Sequence, residues 1–474
     1  MNRKSINKWA MLLVAALLMM TVATACKQNK NASQDEVTQE EPEAMAEVTQ
    51  EEMEALAEVL PKYSLFSSFQ EGLAAVCDKK TDLWGFIDKS GNEVIPCKFD
   101  YVRFGFSDGV AIVEVEDGQF IIDRKGKKIA PIGLGYHNGF HEGLLGLIST
   151  SDEDGEKQGF LDKTGRMVIP ATFDAVMTEC STPAFFNEGL AHLYDYESGK
   201  SIVIDKKGKT VFECDGRIQD FHEGLAAVWR NTSDREDEYE FRYGFVDKNG
   251  DEAIPFIFNR VGDFSDGLCW AETDDKCGFI DHNGEFVLTD DYQTIVLYED
   301  YECEEFELCP SFSEGLAWVC NKDGKFGYID KKGKVVIPFR YKPGYDEEAE
   351  LYDEQPCFDF HGGLARIWDN KTRLFGFIDR KGREVFPCQF ETAEDVSEGV
   401  ALISRDGEYG FIDAKGNCTL DLDVYDLSPN YEPLKPTDFT SQYSPKFMSA
   451  NDLAGTRSNS AVTKASPPSS PRRG

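Results

Sequence analysis

Short apolar runs alternate with polar turns that contain glycine from about residue 66 to residue 420. In the first unit, residues 73–77, 84–87 and 93–95 have the length and composition of strands, and Pro96 ends the third run because proline cannot donate to a β ladder. Asp88 and Gly91 frame a tight turn in which the glycine takes the left-handed conformation. The pattern predicts three or four antiparallel strands in each unit.

This unit recurs nine times. A phrase Phe-x-Glu/Asp-Gly-Leu/Val-Ala is followed each time by Gly-Phe-Ile-Asp-Lys-x-Gly-x-x-Val-Ile-Pro or a degenerate form of it. The first phrase begins at Phe69, Phe106, Phe140, Phe186, Phe221, Phe264, Phe312, Phe360 and Val396. Units of this size cannot bury an apolar face alone, so neighbouring units must stack and share a core. The sequence predicts an all-β tandem array of nine short antiparallel β-hairpin or meander repeats.

Two arrangements of the nine units remain open. Propellers commonly have four to eight blades, each of more than about 40 residues. Several units here follow one another after only about 34 to 37 residues. This spacing favours an open solenoid or superhelix, and a closed β-propeller-like ring is the alternative.

The pair Trp84-Gly85 and its surroundings resemble the WG (KWG) repeat family of bacterial proteins over roughly residues 66–420. The aromatic–glycine pair returns at Tyr243-Gly244, Phe326-Gly327, Phe375-Gly376 and Tyr409-Gly410, whereas Gln119-Phe120 and Ser201-Ile202 have lost the glycine. The family is defined by its repeat, so the resemblance implies an architecture and no shared catalytic residues.

The two ends of the chain differ in composition from the repeats. Residues 1–25 combine a basic start with a short apolar run and predict a signal peptide. The segment that ends at Cys26 resembles a bacterial lipobox, which predicts lipidation of Cys26; it also suits ordinary signal peptidase, which would leave a plain thiol. Residues 26–60 predict an acidic linker or helical stalk, residues 61–425 the repeat domain, and residues 426–474 a disordered tail rich in Ser and Pro.

The formal charge of −36 argues against nucleic acid as a partner, because an acidic protein repels phosphate backbones. Most of the 13 cysteines occupy repeat positions that also accept apolar residues, so they predict buried thiols. Cys303 and Cys309 are the best disulfide candidates. The chain has no C-x-x-C pair on which a zinc site could be built.

The recurring polar residues are explained by turns. The loop from Asp247 to Glu252 comes closest to a calcium loop, but it lacks the alternating oxygen ligands of an EF-hand. His141, His222 and His361 share a position that elsewhere holds Gln, Ser or Asn, which favours a turn residue over a catalytic base. We therefore expect no enzyme activity, no cofactor and no metal site.

Two long insertions interrupt the repeat at the same point, before the Phe-x-acid-Gly phrase. They cover about residues 289–310 and 341–358 and are rich in tyrosine and carboxylates. Insertions at one repeat position emerge on one face of the stack, often the binding face. The candidate binding residues are Tyr292, Tyr298, Tyr301, Phe306, Tyr345 and Tyr352.

These patterns predict an exported, membrane-tethered lipoprotein of the bacterial cell envelope, anchored at the outer membrane through its lipid and either periplasmic or surface-exposed. Its repeat array would be a binding scaffold for a protein, a peptide or a glycan. The alternative is an envelope-structural or adhesion protein without a discrete ligand site. A glycan hydrolase would need a pair of carboxylates in distinct environments, and no such pair stands out.

Overall fold

The computed structural model describes residues 48–133, 135–149, 157–174, 183–195, 198–233, 240–289, 295–297, 306–341, 358–369 and 371–422. Within these ranges nine small antiparallel sheets follow one another along the chain and form a ring of nine propeller-like blades. The predicted all-β class and the nine repeats are confirmed. The ring is the alternative arrangement, and the open superhelix that the spacing favoured is wrong.

Each blade is a meander of consecutive strands. Blade 1 contains β1 (Tyr63–Phe66), β2 (Leu73–Asp78), β3 (Trp84–Asp88) and β4 (Glu93–Phe99). Blade 2 contains β5 (Tyr101–Ser107), β6 (Val110–Val115), β7 (Gly118–Asp123) and β8 (Lys128–Ile132). Blade 3 contains β9 (Gly135–His141), β10 (Leu144–Ser149), β11 (Lys157–Asp162) and β12 (Met167–Asp174).

The middle three blades repeat this order. Blade 4 contains β13 (Leu190–Asp195), β14 (Lys200–Asp205) and β15 (Thr210–Asp215). Blade 5 contains β16 (Arg217–His222), β17 (Leu225–Asn231), β18 (Phe241–Asp247) and β19 (Glu252–Phe258). Blade 6 contains β20 (Arg260–Val261), β21 (Cys269–Glu272), β22 (Cys277–Ile280) and β23 (Phe286–Thr289).

An additional hairpin of β24 (Ile295–Leu297) and β25 (Phe306–Leu308) precedes the last three blades. Blade 7 contains β26 (Phe312–Ser313), β27 (Leu316–Cys320), β28 (Phe326–Asp330) and β29 (Val335–Tyr341). Blade 8 contains β30 (Leu364–Asp369), β31 (Leu374–Asp379) and β32 (Glu384–Phe390). Blade 9 contains β33 (Thr392–Ala393), β34 (Val400–Arg405) and β35 (Glu408–Asp413).

The core lies between successive blades, because the middle strands of a blade are covered on both faces. All six residues of β2 are buried, whereas buried and exposed positions mix along β4. Phe86 of blade 1 packs with Phe106 of blade 2, with ring centroids 4.9 Å apart in an edge-to-face arrangement. The continuous apolar runs of the sequence are therefore strands that two neighbouring blades enclose.

The glycine of the aromatic–glycine pair allows a close approach of the neighbouring strand. A Cβ atom on Gly85 would lie 2.5 Å from the carbonyl oxygen of Ile95 and 2.8 Å from the backbone of Pro96. The pairing of β3 with β4 shifts register on both sides of Phe86, so β4 bulges opposite Gly85. A Cβ atom would meet neighbouring backbone at under 3.0 Å at five equivalent positions, Gly159, Gly244, Gly278, Gly327 and Gly376.

Blades 2 and 4 have lost this glycine, and their strands pair more regularly. Strand β7 pairs with β8 without interruption from Gln119 to Ile121, and β14 pairs with β15 without interruption from Lys200 to Val203. Only one register shift remains in each pair. Blade 6 keeps its glycine, Gly278, and also has a single shift between β22 and β23. The extra bulge therefore occurs only in blades that have the glycine, although the glycine also occurs without the bulge.

Helix α1 (Gln50–Val59) precedes the first blade and begins with a capping box. The Thr49 hydroxyl accepts a hydrogen bond from the Glu52 N–H at 3.2 Å, and the Glu52 carboxylate accepts one from the Thr49 N–H at 2.8 Å. Met53 and Leu56 are buried in a cluster with residues of both blade 1 and blade 9, among them Phe411. The last part of the predicted acidic segment therefore packs on the ring.

Four cysteines at repeat positions are buried or half-buried thiols, as the sequence predicted. Cys77 and Cys320, which share a repeat position, are free and buried, and Cys97 and Cys388 are free and half-buried. Burial raises the pKa of Cys97 to about 11 and that of Cys388 to about 12. These thiols remain protonated at neutral pH and pack as small apolar groups.

Three other predictions fall wholly or partly outside the described residues. These are the signal peptide with Cys26, the tail of residues 426–474, and the disulfide between Cys303 and Cys309, of which Cys303 is not described. Within the part of the chain that the structure does describe, no helix has the length and apolar composition needed to span a membrane.

Candidate functional site

The first turn of a blade places an acidic residue in the left-handed backbone conformation. Glu71 has a φ of 50° and Asp108 a φ of 56°, and a glycine with positive φ follows each of them. This conformation costs an ordinary residue roughly 1–2 kcal/mol, so a contact made by the side chain must offset it. Eight blades share this arrangement, at Glu71, Asp108, Glu142, Glu188, Glu223, Asp266, Glu314 and Glu398.

The carboxylate of each of these acids accepts a hydrogen bond from the glycine N–H in the turn of the next blade. Glu71 accepts from Gly109 at 3.0 Å, and Glu398 of the last blade accepts from Gly72 of the first at 2.9 Å. The other pairs are Asp108–Gly143, Glu142–Gly189, Glu188–Gly224, Glu223–Gly267, Asp266–Gly315 and Glu314–Gly363. We call the eight acids the carboxylate belt.

A cationic or imidazole side chain of the next blade also holds each belt acid. Lys89 Nζ donates to the carbonyl oxygen of Glu398 at 2.6 Å and lies 3.1 Å from its carboxylate. The other pairs are Arg124–Glu71, Lys163–Asp108, Lys206–Glu142, Lys248–Glu188, His282–Glu223, Lys331–Asp266 and Arg380–Glu314. A partly exposed ion pair contributes only about 0–1 kcal/mol to the stability of the fold. The belt therefore stabilises the ring through the sum of its eight pairs.

The junction between blades 8 and 9 lacks both the belt acid and the basic side chain that would contact it. Gly362 stands at the acid position of blade 8, and Ala414 stands at the basic position of blade 9. Here Arg366 of β30 donates instead to the Asp395 carboxylate and to the Ala393 carbonyl oxygen, each at 2.8 Å. Because the acid and its cation are lost at the same junction, the belt residues act as pairs.

The turns of blades 1 to 8 surround a cavity of about 790 Å³, which we call the central cavity. Among the described residues, no lysine or arginine lines it. Its walls carry six carboxylates, three imidazoles and five phenylalanine rings: Glu71, Asp108, Glu142, Glu188, Glu223, Asp263, His141, His222, His361, Phe140, Phe185, Phe186, Phe221 and Phe264. This volume suits a small organic molecule or the side chains of a peptide.

One histidine–aspartate pair lies in the wall of the central cavity. His222 Nε2 is 3.6 Å from Asp263 Oδ2, beyond hydrogen-bond length. Within the described part of the chain, this nitrogen is buried and has no hydrogen-bond partner. Burial raises the pKa of Asp263 to about 6; the His222 imidazole acts in the opposite direction, and Asp220 adds to the rise.

A second pair lies beside the first. His192 Nε2 is 3.1 Å from Asp220 Oδ1. Burial opposes ionisation of Asp220, but the hydrogen bond from His192 and the nearby imidazoles of His222 and His141 outweigh it, so its pKa is lowered. The two carboxyl groups therefore differ, since the pKa of Asp220 is lowered and that of Asp263 is raised.

The three histidines that the repeat pattern assigned to turns lie directly before the turns: His141 ends β9, His222 ends β16, and His361 forms an isolated bridge. All three line the central cavity. His141 packs against Phe185 with the rings tilted and their centroids 4.6 Å apart, and burial lowers the pKa of this histidine. His361 Nε2 is 3.8 Å from Asp395. The sequence reasoning missed the aspartates at positions 220, 263, 359 and 395, which directly precede the phenylalanine or valine that opens the phrase. Aligning the nine units position by position would have shown them.

Across the described ranges, no group of three or more His, Cys, Asp and Glu side chains could hold a metal ion. In the loop that resembles a calcium site, the Asp247 carboxylate accepts hydrogen bonds from the N–H groups of Asn249 and Asp251. Its oxygens serve the turn.

The predicted binding residues lie almost entirely outside the described part. Tyr292, Tyr298, Tyr301, Tyr345 and Tyr352 are not described, and Phe306 is placed only as the first residue of β25. The first insertion contains the hairpin β24–β25, which the sequence did not predict. Where this insertion ends, Cys309, Pro310 and Ser311 line the central cavity.

The repeat matches the model of a known family. The model of the WG-containing repeat family matches residues 84–118, 159–191, 243–277, 302–326, 326–342 and 375–409. This is a repeat-scaffold family and not a known family of enzymes. No curated protein matches the sequence.

Some solved structures are similar at low sequence identity. Hsv2 of Kluyvelomyces marxianus is 10% identical, over 60% of this chain and 96% of that chain, with a TM-score of 0.32. AztD of Citrobacter koseri is 11% identical, over 73% and 95%, with a TM-score of 0.27. A streptogramin B lyase is 15% identical, over 58% and 92%, with a TM-score of 0.29. The description of the blades rests on the sheets themselves, and the matched stretches between residues 84 and 409 identify the units of this chain as WG-containing repeats.

Proposed function

We propose that this protein is an exported, membrane-tethered binding scaffold of the bacterial cell envelope, anchored through Cys26, whose partner is a protein, a peptide or a glycan. The lining of the central cavity is the observation that carries the binding role. The belt is nearly the same in every blade, whereas the neighbouring turn position changes between Gln, Ser, Asn and His. A constant frame with a variable lining is the usual design of a repeat-protein binding surface.

The first insertion supports the same location. Its last residues, Cys309 and Pro310, line the central cavity. Tyrosines at the rim of a cavity would add apolar area together with a hydroxyl for hydrogen bonding. The proposed partner therefore contacts the cavity and the insertions together. The protein acts by binding and not by catalysis.

Two variants and one control test the binding role. Asn187→Trp fills part of the cavity, and a second variant replaces residues 290–305 and 342–357 with short Gly-Ser segments. Lys207→Trp places the same bulk on an exposed hairpin and is the matched control. A partner crosslinked in envelope fractions should be captured by the wild type and by Lys207→Trp and lost by the first two variants. Equal capture by all four would overturn the proposal, and no capture by any would favour the structural alternative.

The anchor is tested separately with the full chain in cells. Cys26→Ser removes the acceptor of the lipid, so the protein should move from the membrane fraction to the soluble fraction. If the variant remains in the membrane fraction, the proposed anchor is wrong.

A further inference from the structure

Asp263 differs from every other carboxylate in the wall of the central cavity. Glu71, Asp108 and the other belt acids accept hydrogen bonds from glycine N–H groups and contact side chains of the next blade. Asp263 is no part of the belt, and among the described residues it has no hydrogen-bond partner. Its side chain is only 11% exposed. A desolvated carboxylate without such partners is costly, and a ligand that supplies them gains affinity.

The imidazole of His222, next to Asp263, also has a nitrogen without a hydrogen bond in the described chain. His222 Nε2 faces the Asp263 carboxylate at 3.6 Å, and this buried nitrogen makes no hydrogen bond within the described chain. A donor that enters the cavity could bond to the Asp263 carboxylate. The wall of the cavity therefore offers an acceptor that the described chain does not use.

The rest of the lining singles out Asp263. The other five lining carboxylates are belt acids already held by a basic side chain of the next blade, whereas no lysine or arginine of the described chain contacts Asp263. Phe264, the neighbour of Asp263, and Phe185 present aromatic rings to the same cavity. A cation close to an aromatic face gains about 0.5–2 kcal/mol in typical cases.

We propose that the central cavity is a binding site for a cationic nitrogen group, an ammonium or a guanidinium, which the Asp263 carboxylate holds. This inference names the ligand chemistry of the proposed function and rests on it. The group could belong to a lysine or arginine side chain of a bound polypeptide or to a free amine such as a polyamine. The chain's acidic balance, with a formal charge of −36, attracts either one.

The site should respond to acid in a defined direction. The titratable groups around Asp263 are His222 and Asp220 from blade 5 and Cys269 from its own blade. Because burial places the pKa of Asp263 at about 6, the carboxylate is ionised at pH 7.5 and largely protonated at pH 5. A protonated carboxyl group no longer attracts a cation, so binding should weaken as the pH falls.

The test uses the full chain extracted in detergent and titrated calorimetrically. The probes are spermidine, a short peptide with alternating lysine and glycine, and an uncharged chito-oligosaccharide. Asp263→Asn keeps the shape and removes the charge. Asp117→Asn, in the exposed turn between β6 and β7, makes the same change in net charge away from the cavity. Thermal unfolding of both variants controls for folding.

At least one cationic probe should bind the wild type at pH 7.5, with a dissociation constant at least tenfold lower than at pH 5. Asp263→Asn should weaken this binding at least tenfold, and Asp117→Asn should leave it unchanged. Preference for the peptide would identify a polypeptide partner, and preference for spermidine a free amine. Binding of the oligosaccharide alone, equal binding by Asp263→Asn and the wild type, or no binding of either cation would overturn the inference. The crosslinking test of the scaffold role would be unaffected by those results.

Discussion

The carboxylate of Glu398 in the last blade accepts a hydrogen bond from the backbone N–H of Gly72 in the first blade at 2.9 Å, across 326 residues of sequence. The same contact joins consecutive blades elsewhere in the ring. Ser397 strengthens this junction, because its hydroxyl donates to the Phe69 carbonyl oxygen at 2.7 Å. The interaction that joins consecutive blades therefore also closes the ring, and the described strands of blades 1 and 9 stay in their own sheets.

We expect Glu398→Ala to lower the free energy of unfolding by about 1.5–3 kcal/mol, because it removes a charge-assisted hydrogen bond at the closing junction. Urea denaturation of the full chain measures this. Glu384→Ala, at an exposed strand position, is the control and should change stability by less than about 0.5 kcal/mol. Equal stability of the two variants would show that the belt does not hold the ring.

The missing pair between blades 8 and 9 can be restored. Gly362 has a φ of 58°, which lies close to the 50–57° of the belt acids, so the backbone is already shaped for a glutamate. Gly362→Glu and Ala414→Lys should each have a small effect or a cost alone. In the double variant they should show a favourable coupling of about 0.5–2 kcal/mol. A double-mutant cycle from urea denaturation measures it, and additive effects would argue against the paired role.

Gly85→Ala should destabilise the protein by about 1–3 kcal/mol, since the new methyl group would lie 2.5 Å from the Ile95 carbonyl oxygen. Gly133→Ala is the matched control, because open space surrounds that position. Denaturation midpoints of both variants give the comparison. If Gly85→Ala is no less stable than Gly133→Ala, the bulge does not require the glycine.

Acid should destabilise the fold through His137. Burial lowers the pKa of this histidine to about 4, so the folded state binds its proton less readily than the unfolded chain does. The contribution is present above about pH 6.5 and is lost as the pH falls towards 4, by up to about 3 kcal/mol. The raised pKa of Asp263 acts in the opposite direction, adding stability below pH 6.

Urea denaturation of the wild type and His137→Gln between pH 7.5 and pH 4.5 isolates this histidine, whose Nε2 lies 2.7 Å from Gln119. The wild type should lose stability more steeply than the variant as the pH falls. Parallel pH profiles for the two proteins would contradict the assignment to His137.

Most strands and hairpin turns were predictable because their causes are local. The predicted end of the third strand at Pro96 was wrong, because β4 bulges there and continues to Phe99. The turn from Asp88 to Gly91 follows from the conformational preference of glycine, and Gly91 does take a positive φ of 73°. Ring closure was not predictable, because it depends on contacts such as Glu398 with Gly72 that connect the two ends of the array. The short spacing of the units pointed away from a ring because four full strands were expected in each blade, whereas the described residues form three strands in blades 4, 8 and 9.

The cavity was hidden for a different reason. His141 and His222 belong to separate units, and each one read alone is a polar residue of a turn. Only the ring brings these positions together around one cavity and sets Asp263 beside His222. The packing of α1 on the ring was not predicted either. Its acidic composition indicated a linker, although Met53 and Leu56 are buried.

A zero-length carbodiimide crosslink between Lys89 and Glu398 tests the closed ring most directly. Lys89 Nζ lies 3.1 Å from the Glu398 carboxylate. Peptide mapping of the monomeric, crosslinked full chain should reveal an isopeptide bond between these two residues, and Lys89→Arg should abolish it. Crosslinks between consecutive blades, such as Lys206 with Glu142, without the Lys89–Glu398 bond would show an open array and contradict the ring.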